Sequence, residues 1–184
     1  MKFLFAPLAL MLVAVVPAAA QETKADPQST VYLDTKDGRI TIRLRPDLAP
    51  KHVEQIKTLT KQGFYDGIVF HRVIPGFMAQ TGDPTGTGTG GSDLPDLPAE
   101  FTQKAKFVRG TVGMARSQNP NSANSQFFIM YGPTPSLDGQ YTIVGEVVSG
   151  MDAVDKIKKG PEASNGMVDG PDKIVKMRLA ADAN

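Results

Sequence analysis

Apolar residues in this chain come in short runs, and only two stretches carry them at helical spacing. Val31 and Leu33, then Ile40, Ile42 and Leu44, alternate with polar neighbours on either side of Asp37-Gly38. That is the period of two half-buried strands joined by a turn whose glycine tolerates positive φ. Further β-rich runs follow at residues 68–74, 78–80, 111–114, 126–130, 143–148 and 174–179. Against these, Val53, Ile56 and Leu59 share one face of a segment that opens on Pro50 and is followed by Gly63, while Met151, Val154 and Ile157 repeat the spacing until Gly160-Pro161 stops it. A proline at the start and a glycine past the end are helix boundaries. About eight short strands with two separated helices predict a mostly β fold, a closed or nearly closed barrel with the helices covering its ends.

Composition narrows the chemistry. At 184 residues the chain suits one domain with at most an appendage. Its 20 Lys+Arg balance 19 Asp+Glu and no basic run occurs, so there is no field to hold nucleic acid or an anionic membrane. The absence of Cys removes disulfides, thiolate metal sites and Cys nucleophiles, and two His leave little for a His-rich metal site. No cofactor is implied.

The N-terminus reads as an export signal. Lys2 supplies a positive start, residues 3–16 are apolar apart from Pro7, and Ala18-Ala19-Ala20 precedes the polar Gln21-Glu22-Thr23. This is the pattern of a secretory signal cleaved after Ala20. A retained span would need about 20 apolar residues, a length reached here only by counting the Pro-Ala-Ala-Ala segment. We therefore expect a signal peptide over 1–20, a flexible leader over 21–28, a single domain over 29–181 and a short tail over 182–184. The exported chain would hold equal numbers of acidic and basic side chains and no cysteine to mispair, which fits a bacterial periplasm.

Several motifs tempt and fail. Gly86-Thr87-Gly88-Thr89-Gly90-Gly91 matches G-x-G-x-x-G, but the residues after it hold Pro95 and Pro98 and no helical period. A dinucleotide site needs a helix there, so a flexible surface loop is expected. His71 lies in a β run without a nucleophile motif and reads as a packed, hydrogen-bonded residue. His52, beside Lys51 on the first helix, reads as exposed. Lys156, Lys158 and Lys159 complement the dipole at the second helix's last turn.

Two segments remain. One is Phe70-His71-Arg72-Val73-Ile74-Pro75-Gly76-Phe77-Met78-Ala79-Gln80-Thr81-Gly82-Asp83; the other is Gly113-Met114-Ala115-Arg116, continued across a polar loop to Asn124-Ser125-Gln126-Phe127-Phe128-Ile129-Met130. Strand parity places Met78 with Gln80, and Gln126 with Phe128, so that each pair presents an amide beside an apolar side chain. An apolar cup rimmed by amides and a guanidinium would suit a peptide. Parity alone is equally served by a reading in which the apolar residues are all core and Arg72 is a surface charge.

These segments resemble the two signatures of the cyclophilin family of peptidyl-prolyl cis-trans isomerases. The resemblance runs over about residues 31–179 and includes Ala49-Pro50, Gly63-Phe64-Tyr65-Asp66, Leu137-Asp138-Gly139 and Gly145-Glu146-Val147. It implies an eight-stranded antiparallel β-barrel capped by two α-helices. It also implies that Arg72 is the catalytic guanidinium, oriented by Gln80, and that Phe77, Met78, Phe128 and Leu137 line a proline pocket with Gln126 at the rim. Ala115 and Arg116 match the strand edge that pairs with substrate backbone, although many members carry Asn at the position of Arg116. Tyr141 falls where many eukaryotic members carry His and several bacterial ones Tyr. Ser136 falls where cyclosporin-sensitive members carry Trp, so cyclosporin binding is expected to be weak.

The chemistry fits the residues. An Xaa-Pro bond rotates over a barrier of about 18–20 kcal/mol because rotation breaks amide resonance, and no nucleophile or metal is required to lower it. The expected partners are proline-containing unfolded or partly folded polypeptides, met by a monomer with no stable membrane association. A binding module that holds prolines without turnover is the rival class; Arg72 and Gln80 argue against it, since mere binding needs no donor over the imide nitrogen. A hydrolase on the same framework lacks the residues it would need.

Overall fold

The computed structural model describes residues 26–183. The signal peptide read over 1–20, the first five leader residues and Asn184 lie outside them. The end of the predicted leader is structured: Asp26 caps a short 3-10 turn, Pro27–Ser29, by accepting the Gln28 N–H at 3.0 Å.

Eight strands follow, β1 (Thr30–Thr35), β2 (Gly38–Leu44), β3 (Arg72–Ile74), β4 (Met78–Thr81), β5 (Thr111–Met114), β6 (Phe127–Met130), β7 (Ile143–Ser149) and β8 (Lys176–Leu179), with helices α1 (Pro50–Lys61) and α2 (Met151–Lys156). All strand pairs are antiparallel, in the order β3-β4-β6-β5-β7-β2-β1-β8. The sheet is a curled half-barrel, and here the expectation of a closed barrel is corrected. β3 and β8 are its two edges. Among the described residues, the bridges across the seam are Val69 with Lys173 and Arg72 with Met167. The chain feeding β8 contains Gly160, Pro161, Gly166, Gly170 and Pro171, and prolines without an N–H interspersed with glycines cannot sustain a ladder.

The concave side holds the main core. Val31, Leu33, Ile40, Ile42, Val73, Ala79, Val112, Met114, Phe127 and Ile129 are buried together there, and α1 adds Val53, Ile56 and Leu59, as its spacing requires. β5 and β6 are buried at every position, which means that their outer face is covered as well. The second cover is a separate cluster of Leu48, Met78, Phe107, Phe128, Met130 and Ile143. Alternation along the strands therefore sorts Phe127 into the core and Phe128 into the second cluster.

His52 corrects another expectation. It is fully buried, and its Nδ1 lies 2.6 Å from Glu100 Oε2. The N-cap residue of α1, Ala49, has no side-chain acceptor. Glu100 takes that role from the far loop by accepting the N–H groups of Lys51 and His52 at 3.2 and 3.1 Å, where the helix dipole favours a negative charge. Burial pushes the Glu100 carboxyl up, but these bonds outweigh it and the net direction is down. Among the described residues, no helix is long and apolar enough to cross a membrane.

Candidate functional site

The site lies on the outer face of β3, β4, β6 and the end of β5, above the second cluster. Register builds it. Arg72 pairs with Gln80 across β3 and β4, Gln80 pairs with Phe128 across β4 and β6, and Phe128 pairs with Gly113 across β6 and β5. These side chains therefore stand in one row across the sheet.

A chain of amides links the row's polar members. Arg72 Nη1 donates to Gln80 Oε1 at 3.1 Å, Gln80 Nε2 donates to Gln126 Oε1 at 2.9 Å, and Gln126 Nε2 donates to the carbonyls of Gly88 and Gly90 at 3.1 and 2.8 Å. The glycine-rich segment, expected to be flexible, is thus pinned from one side by Gln126. From the other side Asp83 accepts Thr85 N–H, Thr85 Oγ1 and Gly88 N–H. It is a surface loop serving as the site's wall.

The apolar side of the row forms a cavity of about 410 Å³ lined by Arg72, Phe77, Met78, Gln80, Ala115, Arg116, Phe128, Leu137 and Tyr141, together with His71, Gly88, Asn165 and Met167. Nine of the ten residues named from sequence converge there. The tenth, Gln126, lines a neighbouring polar cavity that shares Gln80, Gly88, Ala115 and Arg116 with the first. Ser136 is exposed on the turn Pro135–Leu137 and does not line the cavity. At the floor, Phe107 stacks on Phe128 with ring centroids 5.8 Å apart, and Tyr141 meets Phe128 edge-on at 5.9 Å. Sequence reasoning missed Phe107 because the apolar residues of its stretch, Phe101, Ala105, Phe107 and Val108, follow neither a strand nor a helix period.

The electrostatics single out two side chains. Of the seven arginines, Arg39, Arg43, Arg45, Arg109 and Arg178 each lie against a carboxylate. Arg72 and Arg116 have no such partner among the described residues, and both line the cavity. Arg72 is held by neutral acceptors: besides Gln80, its Nε and Nη2 donate to the backbone carbonyl and Oδ1 of Asn165, each at 3.0 Å. Burial lowers its pKa from the ordinary value, yet a guanidinium keeps its proton in proteins. Arg116 lies 4.4 Å over the Tyr141 ring and donates to the carbonyls of Ser117 and Gln140. The last β5–β6 bond is Ala115 N–H to Gln126 carbonyl at 2.9 Å. Among the described residues neither backbone group of Arg116 has a partner in that ladder.

His71 is packed, as expected, but not hydrogen-bonded. It is buried beside Arg72, and neither ring nitrogen has a partner among the described residues. Desolvation lowers its pKa and disfavours a charged ring beside Arg72.

The sequence model of the cyclophilin type peptidyl-prolyl cis-trans isomerase/CLD family matches residues 30–179. A probable peptidyl-prolyl cis-trans isomerase of Brucella suis is 63% identical over 186 residues, covering 95% of this chain and 92% of that one. An isomerase-like protein of Rattus norvegicus is 44% identical, covering 72% and 83%. The crystal structure of cyclophilin AquaCyp293 from Hirschia baltica superposes with a TM-score of 0.76 at 28% identity, over 86% of this chain and 76% of that one. A cyclophilin of Cryptosporidium parvum, crystallised in the presence of the dipeptide Ala-Pro, gives a TM-score of 0.75 at 31% identity, over 82% and 98%. With its row of arginine, amide and aromatic side chains across a curled eight-stranded sheet, the chain belongs to the cyclophilin-type peptidyl-prolyl cis-trans isomerases.

Proposed function

We propose that Arg72 is the catalytic group and that the cavity floor holds the prolyl ring. As the Xaa-Pro amide twists, its nitrogen regains a lone pair and becomes an acceptor that it is not in either planar state. A donor fixed beside it bonds chiefly to the twisted state, and only such differential binding lowers a barrier. The observation that carries this reading is the unpaired guanidinium, anchored by neutral acceptors at the rim of an apolar cup of Phe77, Met78, Phe128 and Leu137. Its charge is not consumed by a carboxylate. Gln80 orients it, and the unpartnered backbone groups of Arg116 offer an edge for substrate main chain. The Cryptosporidium structure with Ala-Pro supports proline-containing peptides as substrates.

Arg72→Ala is expected to lower kcat on the order of 10²- to 10³-fold, about 3–4 kcal/mol, with peptide affinity and fold largely kept. Two-dimensional exchange NMR on an Xaa-Pro peptide, paired with a thermal melt, measures both. Exchange as fast as wild type at equal foldedness would mean that the cavity holds prolines without Arg72 acting on them.

The clients we infer are exported polypeptides folding in a periplasm, and the support is the signal-like sequence over residues 1–20. N-terminal sequencing of protein from the soluble periplasmic fraction should begin at Gln21. Recovery of an intact Met1 in the membrane fraction would overturn the assignment.

A further inference from the structure

The seam that leaves the barrel ladder open also holds the reactive side chain. Arg72 sits on an edge strand of three residues, and a short edge strand gives a long, flexible side chain little support of its own. The support comes from residues 160–168, which close over β3. Gly160 N–H donates to Val73 carbonyl, Val73 N–H donates to Gly166 carbonyl and Val168 N–H donates to His71 carbonyl, at 2.9, 2.7 and 3.0 Å. The approach is too close for a side chain at Gly166, where a Cβ would lie 2.4 Å from Ile74 Cγ1.

Asn165 is at the crest of this segment, the only non-glycine residue with positive φ among the described residues, at 54°. Asparagine accepts that left-handed conformation more readily than most residues. The conformation lets one residue turn both its backbone carbonyl and its Oδ1 toward the same guanidinium edge. A guanidinium has five N–H donors. Asn165 takes two and Gln80 a third, which leaves one on each Nη for a substrate.

We propose that Asn165 is a positioning residue: with Gln80 it clamps Arg72 from opposite sides, so that the two remaining donors are fixed before substrate arrives. The proposal rests on the isomerase reading of Arg72. Pre-organised donors need no reordering in the transition state, so loosening the clamp acts on turnover more than on binding. Both acceptors are neutral, so they orient the guanidinium without drawing off its charge. Asn165 is itself exposed, which separates its role from that of the buried framework.

The test is Asn165→Gly, which keeps the left-handed backbone and its carbonyl and removes only the Oδ1 acceptor. Exchange NMR on the Xaa-Pro peptide should show kcat reduced on the order of 5- to 10-fold with KM little changed, at an unaltered thermal midpoint. The Arg72 Nε–Hε resonance should shift in the same variant. In an Arg72→Ala background, Asn165→Gly should cost nothing more, since the group it positions is gone. Wild-type kcat in Asn165→Gly, or the same fractional loss with and without Arg72, would overturn the proposal while leaving the isomerase reading intact. If Arg72→Ala itself turns over as wild type does, both fall together.

Discussion

Gly113 is where the pocket is most sensitive to a single added carbon. Its position between β6 and β7 places the rings of Phe107 and Phe128 above it, and a Cβ built there would lie 2.6 Å from Phe107 Cε1, 2.6 Å from Phe128 Cζ and 3.0 Å from Phe128 Cε2. Carbons in comfortable contact stand about 3.5–4.0 Å apart, so Gly113→Ala requires a retreat of roughly 1 Å. Phe107 is 1% exposed and boxed in by Phe128 and the Tyr141 edge. Phe128 faces the cavity and is the ring free to move, into the space meant for a prolyl ring. Overpacking of this kind costs about 1–3 kcal/mol, or a lowering of the melting midpoint by roughly 2–12 °C for a domain of this size. Loss of about a methylene's worth of pocket depth should reduce kcat/KM by about 10- to 100-fold, mostly through KM. Exchange NMR at several peptide concentrations and a thermal melt read the two effects. Phe107→Leu, which removes the ring that pins Phe128 from behind, should restore part of both in the double variant. An unaltered melt and KM in Gly113→Ala would refute the packing argument, as would a double variant no better than the single.

The remaining predictions concern the same wall and its neighbours. Phe128→Ala should cost about 3–5 kcal/mol of stability and weaken peptide binding together, because it empties part of the second cluster and opens the pocket; chemical denaturation and peptide titration check this. Cyclosporin should bind the wild type more weakly than Ser136→Trp, since an indole on the exposed turn would add apolar surface and an N–H donor; equal affinities by calorimetry would show that this turn does not meet the ligand. Stability should fall on acidification below the ordinary histidine value of 6.5. Buried His71 resists protonation in the folded state while the unfolded chain takes up the proton, so its contribution is complete above that value and is lost as pH drops toward the lower folded pKa. In His71→Gln the melting midpoint should vary less between pH 6.5 and 5.

The strands and both helices were legible because each obeys one local rule, whereas the closure of the sheet is a property of two distant segments. Alternation marked β1 and β2, and the proline and glycine bounds marked α1. Nothing in the run at residues 174–179 tells whether it pairs with β3, and the prolines that prevent this lie upstream, at Pro161 and Pro171. His52 failed for a related reason. A histidine beside a lysine at a helix start looks solvated until a carboxylate from a loop nearly fifty residues away supplies the missing cap.

The site divides in the same way. Residues 70–83 and 124–130 lie on paired strands, so their spacing carries over into a row across the sheet. Phe107 and Asn165 come from aperiodic loops, and their roles exist only once the sheet has curled. Charge pairing supplies the signal that parity lacked. In a chain with almost equal numbers of acidic and basic residues, a surface arginine has carboxylates to find, and five of the seven are against one. Arg72, half-buried, is left with an amide, a backbone carbonyl and a side-chain carbonyl. A carboxylate in that place would hold the guanidinium more strongly and would also compete with the developing prolyl lone pair. Neutral acceptors fix the direction of its donors and leave the charge for the twisted amide, which is the division of labour that transition-state stabilisation asks for.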